Sequence, residues 1–202
     1  MILNRVFEGK ANGFYVDVGA HHPTRFSNTY LFYRRGWRGI NIDAMPGSMS
    51  EFEKLRPEDE NVEALISSKR KKIEFFLFNE PALNTCDAEL ARKRNGLSTY
   101  RLVGTTMIES QTLSEVLERH LSPKQSIDFL SIDVEGMDLD VLCSNDWKRF
   151  TPTIILAEDT EVSNARRATE SPIATFLGRY GYSLFANTVN TLLFRKDDPL
   201  AS

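Results

Sequence analysis

Short apolar runs alternate with more polar segments over most of this chain of 202 residues. Such runs predict three strands early in the sequence, at residues 13–18, 39–42 and 62–66. The segments between them predict two helices, one over residues 27–35 that Gly36 ends and one from Pro46 toward Leu55. Strands and helices that alternate in this way are typical of a mostly parallel sheet with helices on both faces.

The alternation stops after the third strand. Residues 72–78 (KIEFFLF) predict an extra strand, and a polar, loop-rich stretch follows to about Thr105. We therefore predict an insertion at about residues 72–105, between strands three and four, which forms a lid or acceptor wall because long loops in compact domains tend to be functional. Regular order returns where Thr112 and Glu115 form a capping box at the start of a helix.

The second half of the chain completes the sheet. Buried strands are predicted at residues 127–133 and 152–159, with a helix between them at residues 137–143. A helix from Ser171 and Pro172 to Gly181 is followed by two apolar runs, which predict an antiparallel hairpin. We expect a single α/β domain over residues 1–202, with a doubly wound, mostly parallel, seven-stranded sheet that ends in this hairpin.

Composition narrows the classes of function. The 25 basic and 28 acidic residues give a net charge of −3, which implies no bulk attraction to nucleic acid. Cys86 and Cys143 lack CxxC spacing, so we expect reduced thiols rather than a disulfide or a zinc site. No apolar stretch approaches the ~18 residues of a membrane span, and the first ten residues lack the apolar region of a signal peptide. These features predict a cytoplasmic protein without a transmembrane segment, and they leave its oligomeric state open.

Candidate chemistry begins where the first two strands end. Gly19 follows the first strand and allows a tight backbone turn beside a ligand, and Asp43 closes the second strand 24 positions later. In doubly wound folds, an acid about 20 residues beyond the glycine turn binds the two hydroxyls of a ribose. The spacing therefore predicts a cofactor that contains adenosine.

The glycine pattern favours one cofactor class over another. A dinucleotide site needs GxGxxG so that a pyrophosphate can lie on a helix N-terminus. Here Gly19 is followed by Ala20, His21, His22 and Pro23, so the second and third glycines are missing. This argues against NAD and is compatible with S-adenosylmethionine, which has no phosphates. A parallel sheet finished by an antiparallel hairpin is likewise the pattern of class I methyltransferases, which are Rossmann-like.

Four segments together resemble the FkbM-like methyltransferase family: GFYVDVGAHHP (13–23), SNTYLFYRRGWRGINIDAMPG (27–47), FNEPALNT (78–85) and DFLSIDVEGMDLDVLCSNDW (128–147). The similarity covers nearly the whole chain, with the motifs in family order. It implies methyl transfer from S-adenosylmethionine, usually to a hydroxyl of a sugar or glycan-like acceptor. One departure concerns His21, His22 and Pro23, since many members carry Asn and then a glycine after the first motif.

The resemblance also implies roles for individual residues. The loop under the methionine part of the cofactor contains Asp17, Gly19 and Ala20. Asp43 would bind the ribose hydroxyls, with Ala44 beside the adenosine and Ser67 near the adenine. The alternative for Asp17 and Asp43 is ordinary capping at a strand end.

Acidic residues form a second candidate group. Asp133 and Glu135 follow one predicted strand, and Glu158 and Asp159 end the next. If these strands are neighbours, their carboxylates converge on the crevice beside the cofactor. The arrangement resembles that of magnesium-dependent O-methyltransferases, so we predict Asp133, Glu158 and Asp159 as candidate Mg²⁺ ligands and Asp133 as a cofactor-binding and catalytic residue. In the alternative, Asp159 caps the next segment and Glu135 serves the following helix start.

The remaining candidates concern the base and the acceptor. His21 and His22 lie on the loop beside the methyl donor and could deprotonate a hydroxyl, or could only hydrogen-bond the backbone, whereas His120 is expected to be structural. A polyhydroxylated acceptor could be bound by Asn79, Glu80, Asn84 and Glu135. Two rival hypotheses are an NAD(P)-dependent oxidoreductase and an inactive methyltransferase-fold binding partner.

Overall fold

The computed structural model describes residues 2–159 and 165–197. The strands of this part of the chain are β1 (Phe14–Val18), β2 (Arg38–Asp43), β3 (Glu60–Glu63), β4 (Lys72–Phe78), β5 (Leu102–Glu109), β6 (Phe129–Ile132), β7 (Ile154–Glu158), β8 (Tyr182–Asn187) and β9 (Thr191–Lys196). Its helices are α1 (Ile2–Val6), α2 (Tyr30–Tyr33), α3 (Met49–Leu55), α4 (Ala88–Arg94), α5 (Leu113–His120), α6 (Asp138–Cys143), α7 (Ala165–Glu170) and α8 (Pro172–Gly178), with a 3₁₀ turn at Pro81–Leu83.

Seven of these strands form one sheet in the order β3–β2–β1–β6–β7–β9–β8. The strands from β3 to β7 in this order run parallel to one another, whereas β9 is antiparallel to both β7 and β8. This arrangement confirms the predicted Rossmann-like α/β sheet with an antiparallel end. The strand order reverses between β1 and β6, and ligands of open α/β sheets bind at such a reversal, outside the carboxyl ends of the strands.

The sheet is covered on both faces, which explains why its central strands read as continuous apolar runs. All four residues of β6 are buried, as are the first four of β7. On one face, the apolar side of α5 packs against the sheet. On the other face, Phe7, Phe32 and Trp37 surround Phe129 with ring centroids 5.0–6.0 Å apart. Trp37 is itself buried and belongs to the core of this face.

Three elements differ from the sequence-based expectations. The first predicted helix is reduced to the four residues of α2, and β3 begins two residues before the predicted strand and ends at Glu63. The insertion is more ordered than predicted, because β5 pairs antiparallel with β4 in a separate two-stranded sheet. It also contains α4, whose N-cap Asp87 accepts hydrogen bonds from the backbone N–H groups of Glu89 and Leu90.

Across residues 2–159 and 165–197, no helix combines the length and apolar character that a bilayer crossing requires.

Candidate active site

A cavity of about 290 Å³ lies at the carboxyl ends of β1, β2 and β6. Its walls come from the strand ends, from the loop of residues 20–28 and from the insertion. Of the predicted cofactor-binding residues, those that line it are Asp17, Gly19, Ala20, Asp43, Ala44 and Asp133. Residues far apart in the sequence therefore meet at one site, at the position expected for a ligand of this fold.

Gly19 forms the floor of the cavity. Its φ is +81°, and a Cβ atom at this position would lie 1.9 Å from the carbonyl oxygen of Asp133. Its backbone N–H donates to the carbonyl of Ile42 at 2.9 Å. Any side chain here would push β1 and β6 apart, so glycine is required by both backbone conformation and space.

Asp43 is both a cap and a cavity residue. Its Oδ2 accepts the backbone N–H of His21 and its Oδ1 accepts that of Met45, each at 2.8 Å. Burial raises the pKa of Asp43, although these hydrogen bonds oppose the shift. A carboxylate has about four lone-pair sites, so each oxygen can accept one more hydrogen bond from a ligand.

Asp17 is more deeply enclosed. Its Oδ2 accepts a hydrogen bond from the Thr29 hydroxyl at 2.8 Å, and the residue is 4% exposed. Desolvation raises the pKa of Asp17 to about 6, against the opposing effects of Thr29 and the nearby Arg56. Asp17 thus lines the cavity and is also hydrogen-bonded to the fully buried Thr29.

The two candidate histidines have different environments. His21 lines the cavity, and burial lowers its pKa, which favours the neutral ring. His22 does not line the cavity. Its Nδ1 accepts backbone N–H groups of Thr24 and Arg25 at 3.1 and 3.0 Å, and its Nε2 lies 3.2 Å from a Glu51 carboxylate oxygen. Only His21 therefore contacts the space that a ligand could fill.

The acidic residues converge because β6 and β7 are neighbours. Carboxylate oxygens of Asp133, Glu135 and Glu158 all lie within 4.8 Å of one another, and we call these three residues the carboxylate cluster. Desolvation, followed by repulsion from neighbouring carboxylates, raises the pKa of Asp133 to about 6 and that of Glu158 to about 7. Asp159 lies outside the cluster and lines a second cavity, next to Glu158.

The Methyltransferase FkbM domain family matches residues 17–184 of this chain. The chain belongs to this family. Searches of curated proteins and of solved structures found no match. The matched range includes the Gly19 turn, Asp43 and the carboxylate cluster, so both halves of the site lie within the FkbM domain. Membership identifies a methyltransferase and disfavours the rival oxidoreductase hypothesis.

The insertion of this FkbM methyltransferase reaches the carboxylate cluster through Arg94, a contact that the sequence analysis missed. The Arg94 guanidinium pairs with the Glu135 carboxylate and also donates to the carbonyl of Leu83 at 3.2 Å. Thr85 donates from its hydroxyl to the backbone carbonyl of Glu135 at 2.8 Å. Glu135 itself has a φ of +55°, so a turn directs its side chain back toward Asp133. The basic run of residues 92–94 was the available signal, but it does not distinguish a site residue from a solvated one.

Four other predicted residues have different positions in the FkbM site. Ser67 is fully buried and donates to Asp140 at 2.7 Å, away from the cavity lining. Asn79 binds the backbone of Thr99 and Arg101, and Glu80 pairs with Arg25 at 2.7 Å. Neither Asn79 nor Glu80 lines the cavity. Asn84 does line it, while its Oδ1 accepts the backbone N–H of Phe78.

Proposed function

We propose that this FkbM methyltransferase transfers the methyl group of S-adenosylmethionine to a hydroxyl oxygen of a sugar-like acceptor. One observation carries the proposal. The cavity floored by Gly19 and walled by Asp43 is also lined by Asp133. A donor bound by the first pair would therefore present its methyl group near a proton acceptor.

The residues present fit this donor. The ribose hydroxyls can donate to the remaining lone pairs of Asp43, whose position is fixed by two backbone N–H groups. Buried apolar side chains, those of Ala64 and Ile66, line the same cavity and suit a flat adenine ring. The methionine part would lie over the backbone of Gly19, whose left-handed turn brings the chain close to the ligand. His21 and Thr24 take the positions where the second and third glycines of GxGxxG would be needed for NAD.

The chemistry requires positioning and the removal of one proton. The donor supplies a methyl group on a sulfonium, which is already a strong electrophile. Asp133, with a pKa near 6, is mostly ionised at neutral pH and can accept the hydroxyl proton as the carbon–sulfur bond breaks and the carbon–oxygen bond forms. The neutral ring of His21 is a second candidate base in the same cavity. Alignment of the hydroxyl at about 3–3.5 Å from the methyl carbon would supply much of the acceleration.

Calorimetric titration tests donor binding. S-adenosylhomocysteine should bind and NADH should not, and Asp43→Ala should weaken S-adenosylhomocysteine by about 1–3 kcal/mol. Glu63→Ala is the matched control, because Glu63 ends β3, caps the backbone N–H of Gly47 at 2.6 Å and lies outside the cavity. Tight NADH binding without a response to S-adenosylhomocysteine would overturn the donor assignment.

A methyl donor that carries an isotopic label tests the identity of the acceptor. The enzyme should be incubated with S-adenosylmethionine that carries an isotopically labelled methyl group and with a panel of sugars, glycans, proteins and nucleic acids. We expect label on a sugar hydroxyl oxygen, located by mass spectrometry. Label confined to a protein nitrogen or a nucleic-acid base would contradict the hydroxyl assignment.

A bound Mg²⁺ is a second element of the proposal, with ligands that differ from the sequence-based prediction. The carboxylate cluster provides three hard oxygen donors within 4.8 Å of one another, and Glu158 Oε2 is buried without a hydrogen-bond partner among the described residues. We therefore propose Asp133, Glu135 and Glu158 as ligands, and not Asp159. When bound, such a cation would lower the pKa of an acceptor hydroxyl.

Removal of Mg²⁺ by a chelator tests this second part of the proposal. Turnover should vanish with excess chelator and return with Mg²⁺. Glu158→Gln should abolish Mg²⁺ binding in calorimetry, whereas Asp159→Asn should retain it. Full turnover in excess chelator would rule the cation out and would leave the carboxylates as acceptor-binding or basic groups.

A further inference from the structure

Phe26 holds an aromatic ring at the entrance of the cavity. The residue lines the cavity, yet 78% of its surface is exposed. An exposed phenylalanine contributes little to the core, so burial does not explain its position. Its ring is available to a ligand that enters the cavity.

The backbone of Phe26 is strained. Its φ is +58°, and that of His21 in the same loop is +54°. Left-handed backbone is uncommon for residues with a Cβ atom, and it is a genuine outlier for a bulky side chain. Such strain persists only where the surroundings fix the conformation, and it is concentrated at ligand sites.

Hydrogen bonds on both sides of Phe26 supply that fixation. Before it, the His22 ring accepts the backbone N–H groups of Thr24 and Arg25. After it, the Ser27 hydroxyl accepts the backbone N–H of Tyr30 at 3.1 Å and a guanidinium N–H of buried Arg56 at 2.7 Å. The loop therefore holds the ring outward at a defined place.

The ring also has a defined orientation. The guanidinium carbon of Arg25 lies 5.0 Å from the ring centroid, and Arg25 is itself paired with Glu80 of the insertion. The His21 ring is nearly parallel to that of Phe26, at an interplanar angle of 18°. Asp133 and Glu135 line the same cavity. A ring-shaped ligand packed on Phe26 would thus have carboxylates within reach of its hydroxyl groups.

We propose that Phe26 is the platform on which the sugar ring of the acceptor packs. This inference rests on the proposed function and deepens it, because it specifies a pyranose that presents a C–H face to an aromatic ring. The hydroxyl groups at the rim of the pyranose would be bound by Asp133 and Glu135. The adenine is assigned to a different part of the cavity, beside Ala64 and Ile66.

Saturation-transfer NMR tests this platform with methyl glycosides of hexoses and 6-deoxyhexoses as probes, in the presence of S-adenosylhomocysteine. The wild-type complex should transfer saturation mainly to the C–H protons of one pyranose face. Phe26→Ala should lose that signal at least tenfold, and Phe26→Trp should retain it. Both variants should bind S-adenosylhomocysteine with unchanged affinity. A failure of the wild type to bind S-adenosylhomocysteine would instead indicate that the proposed function itself is wrong.

Two further variants, Phe185→Ala and Phe26→Gly, distinguish a sugar-binding role of Phe26 from a structural one. Phe185 is the matched control, since it is 42% exposed, lies under the Arg195 guanidinium at 4.8 Å and does not line the cavity. Phe185→Ala should leave the glycoside signal intact. Phe26→Gly should raise the melting temperature, because glycine relieves the backbone strain, and should still abolish the signal.

Three results would overturn the platform. They are wild-type glycoside signals in Phe26→Ala, at least tenfold weaker binding of S-adenosylhomocysteine in that variant, and binding of phenol or catechol probes by a wild-type complex that ignores every glycoside.

Discussion

Two groups of charged residues lie on opposite sides of β1, and they are built differently. Arg56 is fully buried and donates to Thr29, Asn41 and Ser27 at 2.7–3.0 Å, while Asp59 accepts from Tyr15 and from nearby backbone and amide groups. One cation thus faces one anion, with neutral partners around both.

The carboxylate cluster has the opposite balance. Its three carboxylates face one guanidinium, that of Arg94. Among the described residues, Glu158 Oε2 lacks a hydrogen-bond partner, as do Oδ2 of the neighbouring Asp138 and, in the other group, Nε of Arg56. Desolvation and repulsion from neighbouring carboxylates raise the pKa values of Asp133 and Glu158. We therefore expect the Arg56 network to stabilise the fold, and the carboxylate cluster to gain stability only when a ligand or cation neutralises it.

The largest expected difference concerns Asp133. Asp133→Asn should lower turnover by about 10²–10⁴-fold through loss of the proton acceptor. Its free energy of unfolding should stay the same or rise, because the amide removes the repulsion between Asp133 and the carboxylates of Glu135 and Asp17. Labelled-donor assays and thermal melts would measure the two effects, with Asp159→Asn as the control. A wild-type turnover in Asp133→Asn would refute the assignment of this residue as the base.

Substitution of Arg56 should have the reverse effect and lower the free energy of unfolding. Arg56→Met retains most of the volume but leaves Asp59 as an unpaired buried charge, which should cost about 3–5 kcal/mol in urea unfolding. Arg38→Met is the control, since Arg38 forms an exposed pair with Glu58 at 3.4 Å and should cost about 0–1 kcal/mol. Equal losses in the two variants would contradict the structural role of the Arg56 network.

The smallest expected effect is the pH dependence of stability. Folding raises the pKa of Glu158 from 4.5 to about 7, so the folded state favours the protonated form. That contribution is complete below about pH 4.5 and is lost as the pH rises through about 7. Stability should therefore fall by about 1–2 kcal/mol between pH 5 and pH 8, less than the full shift because the site is partly solvated.

Glu158→Gln should reduce this pH dependence in chemical denaturation, and the raised pKa values of Asp17 and Asp133 should leave the remainder. Glu115→Gln should not, because hydrogen bonds from Thr112 and Arg70 lower the pKa of Glu115 and it has finished titrating below this range. A wild-type slope in Glu158→Gln would show that the raised pKa belongs to another group.

The parts of the site that the sequence could predict are those set by strand order. Buried apolar runs locate parallel strands, and all such strands end at the same edge of the sheet. The Gly19 turn and Asp43 therefore meet at one cavity, and the carboxylates after β6 and β7 meet beside them.

The parts that could not be predicted depend on side-chain direction and on distant contacts. Asp159 follows the last residue of β7, and the sequence does not say which of the adjacent Glu158 and Asp159 joins the cluster. Glu135 enters the cluster through a left-handed turn, and Phe26 reaches the cavity in the same way. β5 was missed because Gly104, Thr105 and Thr106 interrupt its apolar residues, and none of its residues is fully buried.

The place of β9 has a consequence for how the protein is made. It is the last described strand to leave the ribosome, yet it lies inside the sheet, between β7 and β8. Its Thr191 pairs with Glu158, and Asn190 accepts the backbone N–H of Asp159 at 2.8 Å. A nascent chain can therefore assemble β1 and β2, with the Gly19 turn and Asp43, long before the edge of β7 is covered. Chains stalled before residue 191 should protect amides of β1 from hydrogen exchange, but not the amides of β7 that bond to β9. In the order of synthesis, the turn at Gly19 comes first and Glu158 of the carboxylate cluster is fixed last.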